Sequence, residues 1–270
     1  MDFVCPKCKG ELSVSSSGAA VCKSGHSYDR ARAGYYNFLL SSSGSVHGDN
    51  VEMVTARRKF LDTGAYLPLA NEVSRLVCKY ISSGKLLDIG CGEGYYTDII
   101  ERALSERGAK VAVSGFDISK DAVKNAAKRN SALSLSVASA YHMPIGDGVF
   151  DMAVNMFSPL ALAETHRVLK DSGIFIMAIP AEEHLFGLKE AAYKTPYKNE
   201  VADSRLEGFS LIESIRVSYE LALKTNEEVR SLFMMTPYAY RTRPEDKARV
   251  LALDSLTTTI DFIVFVYRKA

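Results

Sequence analysis

The sequence is short of several things, and each shortage removes a class of protein. No apolar run comes near the roughly 18 residues that a membrane-spanning helix needs, so no span is expected. The opening MDFVCPKC has neither the basic region nor the apolar stretch of a signal peptide, which points to the cytoplasm. There are only five cysteines, an odd number, which argues against a disulfide framework and fits a reducing compartment. Charge of one sign is also missing: 33 Lys and Arg stand against 32 Asp and Glu, a net +1. A protein bound mainly through phosphates is usually strongly basic, so any nucleic-acid surface here has to be local. What remains is 270 residues, 47% hydrophobic, enough for one full-sized α/β domain and a small appendage.

Four of the scarce metal-binding side chains stand together at the start. Cys5, Cys8, Cys22 and His26 form a C-x2-C…C-x3-H pattern. Paired thiolates and a returning Cys–His pair at these spacings suit one tetrahedral zinc ion. With four protein ligands the site is closed, so a structural metal is expected. A segment of about 40 residues scarcely folds without such a staple. We therefore read 1–40 as a zinc-ribbon-like module, 41–50 (SSSGSVHGDN) as a connector with solvent-facing His47, and 51–270 as the main domain. Cys78, in an amphipathic run, reads as core, and Cys91 as a small residue inside a glycine turn.

The main domain begins with a helical pattern at 51–61, carrying Arg57, Arg58 and Lys59, and an amphipathic run at 71–80. From residue 85 strands and helices alternate. Strands are predicted near 85–90, 111–118, 133–139, 150–157 and 173–180, with helices near 94–107, 119–130, 160–170 and 182–193. Such alternation requires a mostly parallel sheet with right-handed crossovers. Two β-rich runs, 214–221 and 257–268, follow without a crossover helix pattern of the earlier kind. They predict an antiparallel pair at the C-terminal edge of the sheet.

The richest stretch is Leu86–Thr97, LLDIGCGEGYYT: a buried strand, a tight turn and the start of a helix. Gly90, Gly92 and Gly94 let the chain turn sharply and bring bare backbone to a ligand. Their spacing is G-x-G-x-G rather than the G-x-G-x-x-G of dinucleotide binders. Asp88 and Glu93 put carboxylates at the strand end, which repels a diphosphate but suits the cationic sulfonium of S-adenosylmethionine (SAM). Asp117 ends the next strand, where a carboxylate can accept both ribose hydroxyls. The two strand–Asp motifs together resemble motifs I and II of class I SAM-dependent methyltransferases. In that fold the loop 138–151 lies along the adenine, with Ala140 beside the ring, while His142 reads as a surface residue. The fourth strand ends in Asn155-Met156-Phe157-Ser158-Pro159, facing the transferable methyl. It lacks the Asn/Asp-Pro-Pro-Tyr tetrad common in exocyclic-amine methylases, which favours a ring nitrogen, carbon or oxygen as acceptor.

Taken over nearly its whole length, the chain resembles the bacterial large-subunit (23S) rRNA guanine-N1-methyltransferases of the RrmA type. The resemblance rests on the four metal positions, Tyr35–Asn37, EMVTARRKFLDTGAYLPL at 52–69, LDIGCGEGYYT, HLFGLK at 184–189 and MMTPYAYR at 234–241. It implies zinc on Cys5, Cys8, Cys22 and His26, and SAM contacts from Gly92, Glu93, Tyr66 and His184. The last two would otherwise read as a packed aromatic and a helix-cap histidine. It also implies a substrate guanine in a 23S rRNA hairpin loop near the peptide exit tunnel, and a zinc module that recognises RNA. No residue distinguishes the two subfamilies that modify neighbouring guanines. Oligomeric state is open, a homodimer included. The N1 proton acceptor is equally open among Asp88, Glu93 and a pocket water, so no catalytic residue is named. Tyr238 and Tyr240, with Arg241 and Arg243, are either an RNA-stacking surface or a packed helix end. The rival functions are a small-molecule methyltransferase and a non-catalytic SAM-binding RNA-binding protein.

Overall fold

Residues 2–40 and 51–270 are described by the computed structural model; the expected connector 41–50, with His47, lies outside the described residues. The N-terminal segment forms a small antiparallel sheet of three strands, β1 (Leu12–Val14), β2 (Ala20–Cys22) and β3 (Ser27–Tyr28), in that order. So short a segment has few apolar groups of its own. It buries Phe3, Leu12, Ala20, Tyr36 and Phe38 in one cluster with Leu87, Ile89, Phe116 and Met143 of the main domain. Its last strand, β4 (Tyr36–Asn37), leaves the small sheet and extends the edge of the large one.

The main domain opens with α1 (Val51–Asp62) and α2 (Leu67–Tyr80). In α2, Pro68 presets the first turn, and Leu69, Val73, Leu76 and Val77 recur at helical spacing and are buried. There follow β5 (Ser83–Ile89), α3 (Tyr95–Glu106), β6 (Lys110–Asp117), α4 (Lys120–Arg129), β7 (Ser134–Val137), β8 (Phe150–Met156), α5 (Leu162–Val168), β9 (Leu169–Pro180) and α6 (Phe186–Ala192). The chain then adds β10 (Phe209–Leu223), α7 (Asn226–Met234), α8 (Tyr238–Arg241), α9 (Pro244–Leu251) and β11 (Leu256–Lys269).

The eight strands of the large sheet run in the order β10-β11-β9-β8-β5-β6-β7-β4. All neighbours from β9 to β4 are parallel, whereas β11 is antiparallel to both β9 and β10. This is the α/β architecture of a class I methyltransferase, mostly parallel with an antiparallel C-terminal edge. The last strand is inserted beside β9, inside β10, an order that runs of apolar residues do not encode. From β5 the chain winds one way to β7 and then returns to β8 on the other side of β5. That reversal opens a crevice at the carboxyl ends of β5 and β8, where ligands bind in such sheets.

Several elements depart from the predicted spans for local reasons. The predicted helix 182–193 forms only over Phe186–Ala192, because Leu185 has a left-handed φ of 58°. The helix predicted at 160–170 is Leu162–Val168 and passes directly into β9. Between the two C-terminal strands there are helices, contrary to the expectation. The first of them, α7, has a capping box, Thr225 with Glu228, that the residues themselves spell.

Candidate functional site

The turn after β5 is built by its own backbone. Gly90 and Cys91 both donate their amides to the Phe116 carbonyl (2.9 Å each), tying the turn to the end of β6. Gly90 has φ 75°, and a Cβ there would collide with Ser158 after β8. Gly92 also has a left-handed φ, 54°, yet a Cβ there would meet nothing within 4 Å. One glycine thus permits close packing and the other faces open space. Cys91 is buried, and Cys78 is half-buried.

At the turn and at the end of β8, three buried side-chain atoms have no hydrogen-bond partner among the described residues. Asp88 is 1% exposed; Thr97 donates to its Oδ2 at 2.5 Å, but Oδ1 has no hydrogen-bond partner. Burial, followed by the nearby Asp117 charge, raises the Asp88 carboxyl to about 7. Glu93 is 3% exposed, with Arg129 donating to Oε1 at 3.1 Å and Oε2 left without a hydrogen bond. The Arg58 guanidinium lies 3.9 Å from that second oxygen, an ion-pair distance but not a hydrogen bond. Burial outweighs the attraction of Arg129 and raises Glu93 to about 7. Asn155, at the end of β8, accepts the Ser158 amide on Oδ1 (3.1 Å), while its Nδ2 is buried and unpartnered. Buried polar groups left this way cost about 1–3 kcal/mol each unless something binds them.

Asp117 sits beside these groups. Its Oδ2 accepts the Gly92 amide (3.0 Å) and its Oδ1 the Ser119 amide (2.8 Å). Its backbone carbonyl takes the Ala138 amide at 3.0 Å, which anchors the loop carrying Ala140. Asp88, Gly90, Gly92, Glu93, Gly94, Asp117, Asn155 and Ala140 therefore all belong to the strand ends and loops of one side of the sheet.

Tyr66 and His184 form a second group. The Asp261 amide donates to His184 Nδ1 at 3.3 Å, so the neutral ring carries its proton on Nε2 and faces the Tyr66 hydroxyl at 3.5 Å. Burial holds His184 down to about 3. Phe262 joins this pair to the turn: its ring centroid is 4.2 Å from His184, 5.3 Å from Tyr66 and 4.9 Å from Phe157. Phe157 in turn lies 6.1 Å from Tyr96 at the start of α3. Phe157 is 40% exposed and has φ 66°, a conformation that a bulky residue adopts only under constraint.

The residues missed by sequence reasoning are those with no pattern of their own. Arg129 is an ordinary helix-end cation until the fold sets it against Glu93 and Asp62. Phe157 has no signal of its own within its pentapeptide, and Phe262 reads as one apolar residue of a strand. His142 and Tyr240 are exposed, and Tyr238 is half-buried with its ring 5.5 Å from Lys189 Nζ. Of the basic run, Lys59 pairs with Glu227 at 3.3 Å and Arg58 with Asp62 at 3.6 Å.

The four N-terminal metal candidates converge. Their donor atoms all lie within 4.8 Å of one another. Cys5 Sγ and Cys22 Sγ are each 3.4 Å from His26 Nδ1, and Cys8 Sγ is 3.6 Å from Cys22 Sγ. Tetrahedral zinc with Zn–S of about 2.3 Å and Zn–N of about 2.0 Å requires edges of roughly 3.5–3.8 Å, so the donor set fits. The Gly10 amide, ahead of Ser24 and His26, pulls the Cys8 thiol down to about 6, toward the thiolate that binds metal. The Tyr28 hydroxyl lies 3.3 Å from Cys5 Sγ and orients it.

Residues 81–233 match a methyltransferase-domain family, and residues 3–41 match the N-terminal zinc ribbon of RlmA. A 23S rRNA (guanine(748)-N(1))-methyltransferase of Streptomyces fradiae is 29% identical, covering 96% of this chain and 95% of its own. A candidate 23S rRNA (guanine-N(1)-)-methyltransferase of Micromonospora griseorubida is 32% identical over 94% of this chain and 92% of its own. YxjB of Bacillus subtilis, a candidate of the same name, is 29% identical over 99% and 97%. With a zinc ribbon ahead of a class I methyltransferase domain, the chain belongs to the 23S rRNA guanine-N1-methyltransferase family.

Proposed function

We propose that this protein methylates N1 of a guanine in 23S rRNA with SAM as donor, and that the guanine lies in a hairpin loop near the peptide exit tunnel. The observation that carries the reading is a set of buried atoms at the carboxyl ends of β5 and β8 that have no hydrogen bond among the described residues: Asp88 Oδ1, Glu93 Oε2 and Asn155 Nδ2, in the same strand-end region as Gly92, whose α-carbon faces open space. Two acceptors and one donor with this charge suit hydroxyls and cationic groups, and they disfavour a diphosphate. In this reading Asp88, Gly90, Gly92, Glu93, Gly94, Asp117, Asn155 and Ala140 hold SAM, with Tyr66 and His184 closing the far side. When bound, SAM supplies an electrophilic methyl group and leaves as the neutral thioether.

The chain has two tasks besides holding the cofactor. It must present N1 in line, which positioning alone accelerates strongly, and the N1 proton must reach an acceptor. Asp88 and Glu93 both titrate near 7, where a group that takes up a proton at neutral pH has to titrate. N1 lies on the Watson–Crick edge and is hidden in a paired base, whereas a loop base can be splayed out at a cost of about a few kcal/mol. Exposed Phe157 beside the site offers such a base a stacking face, and exposed Tyr240, Arg241 and Arg243 offer stacking and phosphate contacts further out. Zinc on Cys5, Cys8, Cys22 and His26, a cytoplasmic location and a homodimeric assembly complete the reading. No helix among the described residues is long and apolar enough to cross a membrane.

Reverse-transcriptase primer extension on 23S rRNA and on ribosomal subunits incubated with the protein tests this directly. N1-methylguanine cannot pair, so a SAM-dependent stop is expected one residue before the target, and its position names the guanine. No stop on either substrate, with SAM still bound, would overturn the proposal in favour of a small-molecule methyltransferase or a silent RNA binder.

A further inference from the structure

The zinc module and the loop assigned to the adenine are joined through two residues next to a metal ligand. Val4, immediately before Cys5, donates its amide to the Pro144 carbonyl at 2.8 Å. Phe3 forms an antiparallel bridge with Ile145. Phe3 is 2% exposed, and its ring packs 5.5 Å from Phe38. Phe38 donates its amide to the Val137 carbonyl (2.9 Å) and packs 5.3 Å from Tyr28, the residue whose hydroxyl meets Cys5 Sγ.

The far side of the same loop is held by α5. Glu164 accepts the Met143 amide at 2.7 Å, and Arg167 donates to the carbonyls of Met143 (3.2 Å) and Ile145 (2.7 Å). The stretch 143–145 is thus clamped between α5 and Phe3–Val4, while 139–142, including Ala140, continues from it toward Asp117. Without metal closure the segment around Cys5 has little regular structure to hold it. The α5 contacts would remain, and Asp2 would still meet Lys85 (2.8 Å) and Ser114 (2.9 Å), while Phe3 and Val4 would lose the closure on their Cys5 side.

We infer that Phe3 and Val4 are positioning residues for SAM: the metal-closed module holds the 138–145 loop, so metal loading and cofactor affinity rise and fall together. This rests on the reading of that loop as the adenine border. It gives the module a role in cofactor binding in addition to any contact with RNA. Because coupling between two ligands is reciprocal, SAM must retain the metal by the same factor by which the metal favours SAM.

The test starts from the zinc-loaded full chain, with SAM affinity measured by calorimetry before chelation, after it, and after zinc is restored. A rise in the SAM dissociation constant of about tenfold on chelation, reversed by zinc, is expected, with saturating SAM weakening zinc capture by the chelator to the same extent. If the chelated chain loses its tertiary structure, Val4→Pro decides, because it deletes the amide donor and leaves all four metal ligands. That variant should keep one zinc per chain and show a severalfold higher SAM dissociation constant and SAM KM, with kcat at saturating SAM and the RNA KM unchanged. A merely structural role would lower the active fraction, and so kcat, without moving the SAM dissociation constant. Unchanged SAM affinity in a folded zinc-free chain, or in zinc-bearing Val4→Pro when the chelated chain unfolds, overturns the inference. Failure of the zinc-loaded protein to bind SAM at all would overturn the underlying cofactor reading instead.

Discussion

Tyr66 and His184 are 118 residues apart in sequence, yet the fold places the histidine Nε2–H 3.5 Å from the tyrosine hydroxyl. The tautomer follows from the Asp261 amide on the other ring nitrogen. Tyr66 Oη therefore accepts a hydrogen bond from the histidine and has its own hydroxyl hydrogen left to donate. Neutral, buried and fixed in orientation, the pair can contact a cofactor without adding charge to a site that already holds two carboxyls.

Stability should depend on pH with opposing signs from these groups. Asp88 and Glu93 are raised to about 7 from 3.8 and 4.5, so their stabilising contribution is full below the unfolded values and is lost as pH rises through 7. His184 is lowered from 6.5 to about 3, so its contribution is present above 6.5 and is lost as pH falls toward 3. Melting temperatures of the cofactor-free protein from pH 8 to 4 should show Glu93→Gln more stable than wild type at pH 8, with less gain on acidification. His184→Gln should soften the decline below 6.5. Parallel pH profiles for wild type and both variants would contradict the burial argument.

Gly90 and Gly92 should respond differently to alanine. Each substitution places a side chain at positive φ, costing about 1–2 kcal/mol. At Gly90 the methyl also strikes Ser158, adding about 1–3 kcal/mol of overpacking. At Gly92 the methyl enters the open space proposed for SAM. Gly90→Ala is expected to lower the melting temperature more, and Gly92→Ala to lose SAM affinity while remaining folded. Wild-type SAM binding by Gly92→Ala would count against the cofactor placement.

Asp117→Ala removes the acceptor for two backbone amides, Gly92 and Ser119, as well as the proposed ribose contact. A loss of about 1–3 kcal/mol in stability and at least about tenfold in SAM affinity is expected, with zinc content unchanged. Isothermal titration and metal analysis on the same preparation separate the two. Unaltered SAM affinity would remove the ribose role.

Phe157 offers a test of base docking. Phe157→Leu keeps an apolar side chain but removes the flat ring, so the RNA KM should rise severalfold or more, at about 1–3 kcal/mol per stacked base, with SAM affinity held. Phe157→Tyr should behave like wild type. If Leu and Tyr have equal RNA KM values, the ring does not stack on the base.

Much of this was legible because the signals are local. A buried parallel strand must be a continuous apolar run, a turn at positive φ calls for glycine, and four ligands to one metal at short spacings can be read as a pattern. Asp88, Gly90, Gly92, Asp117 and the Cys–His set are named on those grounds; the Gly92 amide meets Asp117, and the four Cys and His donor atoms lie within 4.8 Å of one another. Tyr66 and His184 came only through family resemblance, since nothing in either neighbourhood marks it. Arg129, Phe262 and the Phe3–Val4 contacts carry no local signature at all.

The sequence by itself determined the class of fold, the glycine turn and the Cys–His cluster, because backbone conformation and metal coordination constrain residue type within a few positions. Tertiary structure alone decided that β11 lies between β9 and β10, that Arg129 faces Glu93, and that Phe3 and Val4 brace the loop carrying Ala140. Those are contacts between distant segments. They depend on which apolar faces meet when the chain closes its core, and no single stretch of residues records that choice.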